Sequence, residues 1–447
     1  MITCHRKSLP NGLRMAVVEM PHLHSAEVAV YLKTGGRDDP PGKAGLSHFL
    51  EHMLFRGTGE HPTTLELETA FEAIGGAVNA ATDEETTCYF SRVHPDLVVE
   101  GIRLLSTMLL SPTLPGIDIE KRIITEEALE DINERGEEVN THNLASSLLW
   151  PGHPLGNPTI GTLDSIASFT EEDLRGHLAR HYVPGNAVLV VAGKVDAETA
   201  FNAGAAVFGS WCNRPAPALL PVTNRQERPR SLFVEDSDSQ VHLQIAFRGF
   251  ARCDRRIMAS RLIRRVLCGG GCSRLHILLR EELGIIYSVD ASIAAYEETG
   301  AFAVELSTAP ENLPRAVAEV LRETMRLATE PIGADELRRV KDGYFFDLEY
   351  SRDSTYEMQV RYGWGELMKL VREIEEDRTE AEAVTVEIIG ATARGLFSPA
   401  GLNLVAVGPW QTAVREEVET LLANYEDEWQ GKVAGSEDNP ERSSAGT

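Results

Sequence analysis

Cysteine is scarce: six residues (Cys4, Cys88, Cys212, Cys253, Cys268 and Cys272) in a chain of 447. So sparse a set argues against a disulfide framework. Cys268 and Cys272 have no second Cys/His pair nearby, so they read as reduced structural thiols rather than half of a metal site. Long hydrophobic runs are also missing. The longest, such as Ala187-Val-Leu-Val-Val-Ala192, are strand-sized and far short of the roughly 20 residues that cross a bilayer, so no membrane span is expected. The N-terminus has no apolar stretch followed by a small-residue cleavage site, which leads us to expect a cytoplasmic protein. Basic residues are outnumbered, 43 Lys and Arg against 68 Asp and Glu, giving a formal charge of −25. That balance repels nucleic-acid phosphates and is compatible with basic ligands.

What is present is the composition of a globular protein, 43% hydrophobic and 25% charged, in a chain too long for one compact core. It reads as two copies of one unit. Pro184-Gly-Asn-Ala-Val-Leu-Val-Val-Ala-Gly193 is echoed by Pro399-Ala-Gly-Leu-Asn-Leu-Val-Ala-Val-Gly408, and Gly193 to Gly408 is an offset of 215 positions. Tyr89-Phe-Ser-Arg-Val-His-Pro95 and Phe302-Ala-Val-Glu-Leu-Ser-Thr-Ala-Pro310, each followed by an amphipathic helix, keep nearly that offset. Alternating strands after the Asn11-Gly12 turn and later 3.6-period segments predict an α+β fold. It comprises two similar domains related by internal duplication, each a mainly antiparallel sheet packed with helices. The expected division is 1–212, a Pro-rich linker 213–230, 231–429, and a disordered Gly/Ser/Glu/Asn-rich tail 430–447.

The stretch Gly45-Leu-Ser-His-Phe-Leu-Glu-His-Met-Leu-Phe-Arg-Gly-Thr58 sets two histidines and a glutamate in an otherwise apolar helix. His48 and His52 are one turn apart on a single face, which lets two imidazoles reach one metal ion, and Glu51 lies beside them to take a proton from water. The order His-x-x-Glu-His is the inverted zinc-peptidase motif. A pair of core histidines capped by a glutamate is the plainer reading, but three buried ionisable groups with no cation would be costly. His177-Leu-Ala-Arg-His181 has the same histidine spacing with Arg180 in the glutamate position, and reads as structural. The second copy places Arg261-Leu-Ile-Arg-Arg265 at the corresponding offset, so it cannot bind a cation there. A third protein ligand is needed, usually an acidic residue on another helix, and the candidates are Glu120, Glu126, Glu127 and Glu130 in the segment 119–130. Glu120 and Glu127 share a face, Glu126 and Glu130 a neighbouring one, and spacing leaves the choice open. Gly269-Gly-Gly271 has no Gly-Lys-Ser/Thr after it and so is no phosphate loop.

His48-Phe-Leu-Glu-His52-Met-Leu-Phe-Arg-Gly-Thr58 resembles the inverted-motif zinc peptidases of the pitrilysin/insulinase family, in particular the processing-peptidase branch with half-length chains. The likeness extends from Leu9 to about Tyr425 and includes Leu9-Pro-Asn-Gly12, Gly75-Gly-Ala-Val-Asn-Ala80, His153-Pro-Leu-Gly-Asn-Pro-Thr-Ile-Gly-Thr162 and Ser273-Arg-Leu-His276 through Tyr287-Ser288. It implies one Zn2+ per chain held by His48, His52 and Glu127, with Glu51 as general base and Glu120 as the acid supporting the ligands. It also implies that Asn79, Ala80, Ala81 and Thr82 bind an extended peptide by adding it to a sheet edge, and that Arg280 and Tyr287 grip the substrate near the scissile carbonyl. The plainer readings of Asn79, Arg280 and Tyr287 are a turn residue, a surface charge and a strand aromatic. Where the family has Thr-Ser-Arg-Glu, this chain has Thr82-Asp-Glu-Glu85, adding negative charge there.

The expected function is therefore a zinc endopeptidase acting on peptides or unfolded segments bound in extended form, with a preference for basic ones, in a closed chamber. The resemblance also implies a homodimer, or a heterodimer with an inactive paralogue, because the metal residues and the Arg/Tyr pair belong to opposite halves of full-length members. A non-catalytic peptide-binding or core-subunit-like relative is the alternative, against which the complete His48/Glu51/His52 set argues. A zinc hydrolase acting on esters is a third reading, separable by assay.

Overall fold

Strands form where the chain runs apolar between turns. In the computed structural model, which describes residues 2–215, 217–222 and 225–437, the first sheet contains β1 (Thr3–Ser8), β2 (Arg14–Glu19), β3 (Ala26–Leu32), β4 (Val78–Thr82), β5 (Thr87–Val93) and β6 (Ala187–Gly193) in the order β1-β2-β6-β3-β5-β4. β2 and β6 run parallel and every other pair is antiparallel. The second sheet contains β7 (Arg230–Glu235), β8 (Val241–Gly249), β9 (Ile286–Ala295), β10 (Gly300–Thr308) and β11 (Leu402–Gly408) in the order β7-β11-β8-β10-β9. Here too one pair is parallel, β7 with β11, in the place that β2 and β6 take in the first sheet. Apart from β1, which has no counterpart in the second sheet, replacing β2, β6, β3, β5 and β4 by β7, β11, β8, β10 and β9 turns one order into the other, so the duplication read from the sequence is a duplication of topology.

The helices that matter for the site are α1 (Leu46–Leu54), α2 (Thr64–Glu72), α3 (Val98–Leu110), α4 (Ile117–Leu129), α5 (Thr141–Leu149), α6 (Leu163–Ser168), α7 (Glu171–His181) and α8 (Ala197–Phe208). In the second copy, α9 (Ile257–Cys268) comes after β8 as α1 comes after β3, and α10 (Leu313–Thr329) comes after β10 as α3 comes after β5. No helix among the described residues is long and apolar enough to cross a membrane.

The chain divides into two compact units, and neither is continuous in sequence. One contains residues 1–130, 157–220 and 347–376; the other contains 131–156, 221–346 and 377–447. This differs from a division by chain order, and the reason is the second face of each sheet. β3 and β6 are buried along their whole length, so both faces of the first sheet are covered. α1, α3 and α8 cover one face. The other takes the segment Thr355–Trp364, which packs so closely that a Cβ on Gly363 would lie 2.6 Å from Val190 Cγ1. In the second unit the floor of small residues Ala246, Ala301 and Ala303 is covered by Leu144, Ala145 and Leu149 of α5 and by Trp150. Residues 131–156 and 347–376 start 216 positions apart, so they are equivalent segments of the two copies, each packed with the other copy's sheet.

The stretch expected as linker is anchored at both ends. Leu220 O accepts from Arg37 Nη2 at 2.7 Å within the first unit, and Val222 N donates to Glu298 at 2.8 Å within the second. Of the segment expected as a disordered tail, residues 430–437 belong to the last helix, Thr412–Glu437, and 438–447 lie outside the described residues.

Candidate metal centre

α1 is set by its N-terminus. Gly45 adopts φ 87°, and a Cβ there would meet Ile160 O at 2.3 Å, so only glycine fits. The buried Asp39 carboxylate accepts from Gly45 N at 2.7 Å, Ser47 N at 2.9 Å and Ser47 Oγ at 2.7 Å, satisfying the first free N–H groups of the helix. Phe49, Leu50, Met53 and Leu54 then bury one face completely. His48 and His52 emerge on the other, ring centroids 4.6 Å apart.

α4 supplies the acids. Glu120 is buried, its Oε1 2.9 Å from His52 Nδ1 and its Oε2 3.5 Å from Arg56 Nε. Glu127, seven residues on, faces both imidazoles: Oε1 lies 3.8 Å from His48 Nε2, and Oε2 3.8 Å from His52 Nε2. Glu126 and Glu130 are exposed and outside the cluster. Among the described residues, His48, His52 and Glu127 form the one trio with donor atoms all within 4.8 Å of each other.

The donors fit a divalent cation. Each histidine stands beyond hydrogen-bonding range of Glu127, and four tetrahedral ligands 2.0–2.1 Å from zinc would be separated by about 3.3 Å. Glu120 occupies Nδ1 of His52, leaving Nε2 to face Glu127. Burial, with His52 beside it, pulls the His48 imidazole down to about 3, so it is neutral, as a ligand must be. Its buried Nδ1 has no hydrogen-bond partner among the described residues, and its Nε2 is the nitrogen turned toward Glu127. His52 is held above its ordinary value: burial acts downward, but the Glu120 hydrogen bond and the charges of Glu51, Glu120 and Glu127 outweigh it. Glu51, 8% exposed, is raised by burial against the opposing effects of Thr82 and His52. A carboxyl whose proton affinity is raised is suited to accept a proton in a reaction.

β4 carries the remaining first-unit residues. It is the end strand, paired to β5 along one side, and its residues alternate. Asn79 and Ala81 are exposed, Ala80 packs on the core, and Thr82 on that same face donates to Glu51 Oε2 at 2.5 Å. Thr82 is one of the residues expected to bind peptide through the strand edge; its hydroxyl in addition meets the Glu51 carboxylate beside the His48/His52/Glu127 cluster. The acidic run after it adds less open charge than the sequence suggested. Asp83 accepts from Glu85 N, Thr86 N and Thr86 Oγ1 of its own turn, and Glu85 is buried in an ion pair with Arg37 at 2.5 Å.

His177 and His181 stack at 4.3 Å and are buried, and His177 Nε2 lies 3.1 Å from Ser47 Oγ. Among the described residues this pair gathers no acidic third donor. In the second unit, Arg264 donates to Ala291 O and Arg265 lies over the Tyr344 ring, giving no donor set. Arg280, in a π-helical turn, lies 5.5 Å from the ring of Tyr287, which opens β9 and is 81% exposed. The two residues expected from the resemblance as a pair thus lie side by side in the second unit. Asp39 and Ser47 were not singled out in the sequence; their one trace is position, since Ser47 directly precedes His48.

Two family models match this chain: the insulinase (peptidase family M16) domain over residues 14–163 and the peptidase M16 inactive domain over residues 168–344. An uncharacterised zinc protease of Bacillus subtilis, YmxG, is 30% identical over 399 residues, 88% of this chain and 95% of its own. A protease from Helicobacter pylori has a similar crystal structure, with TM-score 0.85 and 20% identity over 92% of this chain and 100% of that one. The periplasmic protease PqqL of Escherichia coli matches with TM-score 0.77 and 18% identity over 96% of this chain but 50% of that one.

Proposed function

The chain belongs to the insulinase family of peptidases, M16, and from that premise we propose that it is a zinc-dependent endopeptidase cutting peptides held in extended form. The observation that carries the reading is the convergence of His48, His52 and Glu127 from two helices with Glu51 beside them. When bound, zinc supplies Lewis acidity. His48, His52 and Glu127 bind it, and Glu120 holds the Nδ1 proton of His52 so that Nε2 stays a donor. Glu51 takes the proton of the attacking water and passes it to the departing amine. The open side of β4 adds the peptide backbone as a further strand, with Asn79 and Ala81 on the outward face. Arg280 and Tyr287 grip the substrate from the second unit of a partner copy, in keeping with a chain that spans half the length of PqqL.

The non-catalytic alternative draws on the name of the model matching residues 168–344, yet the donor set lies in the part matched by the other model. The test is zinc per chain in the purified protein, followed by cleavage of a mixed peptide library with and without chelator. Stoichiometric zinc and chelator-sensitive cleavage are expected. Ester hydrolysis without peptide cleavage, or no zinc, defeats the reading.

A further inference from the structure

The two faces of β4 point to different tasks. Side chains alternate along a strand, so Asn79 and Ala81 turn outward while Val78, Ala80 and Thr82 turn toward α1. Thr82 ends the series, directly opposite Thr87 across the β4–β5 pair. The Thr87 hydroxyl donates to Thr34 O at 2.9 Å and is fully buried. Its proton is thereby committed. The Thr82 hydroxyl has a single proton and two acceptors in view, Thr87 Oγ1 at 3.3 Å and Glu51 Oε2 at 2.5 Å. The shorter contact is to an ionisable carboxylate, which makes the stronger bond. A β-branched side chain in a strand is also stiff about χ1, so the hydroxyl is presented from a fixed point.

We propose that Thr82 is a positioning residue for Glu51: its hydroxyl fixes one carboxylate oxygen and leaves Oε1 as the proton acceptor in peptide hydrolysis. It rests on the endopeptidase reading above. It also gives β4 a second duty, because the strand whose open edge docks the peptide is the strand that orients the base. Docking and proton transfer then share one rigid element, which is how a base is kept within reach of its proton.

The experiment compares Thr82→Val, nearly the same shape without the hydroxyl, with Thr82→Ser, which restores it. For Thr82→Val, zinc content and melting temperature are expected to stay at wild-type values, KM to change less than about twofold, and kcat to fall at least about tenfold, within the range that misplacing a catalytic group produces. Thr82→Ser is expected to recover most of the loss. A crystal structure of Thr82→Val supplies a readout independent of turnover: the Glu51 carboxylate should leave its position beside β4. Wild-type kcat in Thr82→Val, a Glu51 carboxylate that has not moved, or a serine variant no better than valine overturns the proposal. So does loss of zinc or of folding in Thr82→Val, which makes the residue structural. A wild-type protein without chelator-sensitive cleavage overturns the endopeptidase reading instead.

Discussion

His52 Nδ1 and Glu120 Oε1 are 2.9 Å apart, a side-chain hydrogen bond joining the two helices that carry the candidate metal donors. A carboxylate only accepts, so the histidine carries a proton on Nδ1, and Nε2 is the nitrogen it turns toward Glu127. Glu120→Gln keeps the size but no longer requires that tautomer. It is expected to weaken zinc binding by about 10- to 100-fold, the range for such outer partners. Competition against a calibrated chelator measures this; unchanged affinity would falsify the role of Glu120.

Glu51 lies among the donors without belonging to the metal-binding trio. Glu51→Gln should keep zinc and lose at least about a hundredfold in peptide turnover, the low end for removal of a general base. His48→Ala and His52→Ala should lose both. Metal analysis beside a quenched-peptide assay separates the two classes, and full turnover in Glu51→Gln sinks the assignment.

Choosing among the acids of α4 is a question of geometry that the sequence left open. Glu127 is the member placed 3.8 Å from both imidazoles. Glu127→Gln should strip the protein of zinc during dialysis, whereas Glu126→Gln and Glu130→Gln should emerge with wild-type zinc content. Zinc loss from Glu126→Gln alone would mean that α4 is rotated by one position from the arrangement described.

The sequence made the pattern of the fold visible because duplication repeats local signals: apolar runs, turns and helix faces recur at a nearly constant offset. Which sheet a helix covers is not a local signal. α5 reads as an amphipathic helix wherever it packs, so its membership of the second unit, and that of Thr355–Trp364 in the first, became visible only in three dimensions. The site divides in the same way. His48, Glu51 and His52 are legible because helical periodicity alone puts them on adjoining faces. Glu127 needed a second helix to be placed beside the first, and Thr82 and Asp39 act across strand–helix and loop–helix contacts that no spacing encodes.

The stacked His177 and His181 should make the protein acid-sensitive. Burial, with His181 and Arg180 adding to it, holds His177 well below its usual range; burial, then Arg180, brings His181 to about 4. Both values lie below that of an unfolded histidine, near 6.5. Between these limits the unfolded chain binds more protons, so this contribution to stability is complete above about pH 6.5 and is lost as pH falls through about 4. Removing the His181 titration in His181→Gln should flatten the dependence, by up to about 3 kcal/mol across that window. Urea midpoints of both proteins from pH 7.5 to 4.5 provide the check. Parallel curves would show that the pair does not govern acid stability.

The Arg280–Tyr287 pair and the metal donors belong to different compact units, yet the proposed mechanism uses both in one reaction. This chain spans 50% of PqqL, which carries roughly two such lengths in one polypeptide. A two-fold dimer would supply the missing length, each copy lending its second unit to the metal centre of the other. A heterodimer with an inactive relative, or a monomer in which the pair is structural, makes different predictions. Glu51→Gln alone and Arg280→Ala alone should each be nearly inactive. In a mixture, dimers with one subunit of each kind hold one complete site, built from the intact metal centre of the Arg280 variant and the intact pair of the Glu51 variant. Random exchange of equal amounts makes about half of the dimers mixed, each with one working site of two, so about a quarter of wild-type activity should return. A heterodimer would leave the pure wild-type chain inactive until its partner is added. If native mass spectrometry shows mixed dimers and activity stays absent, completion by the partner copy is ruled out.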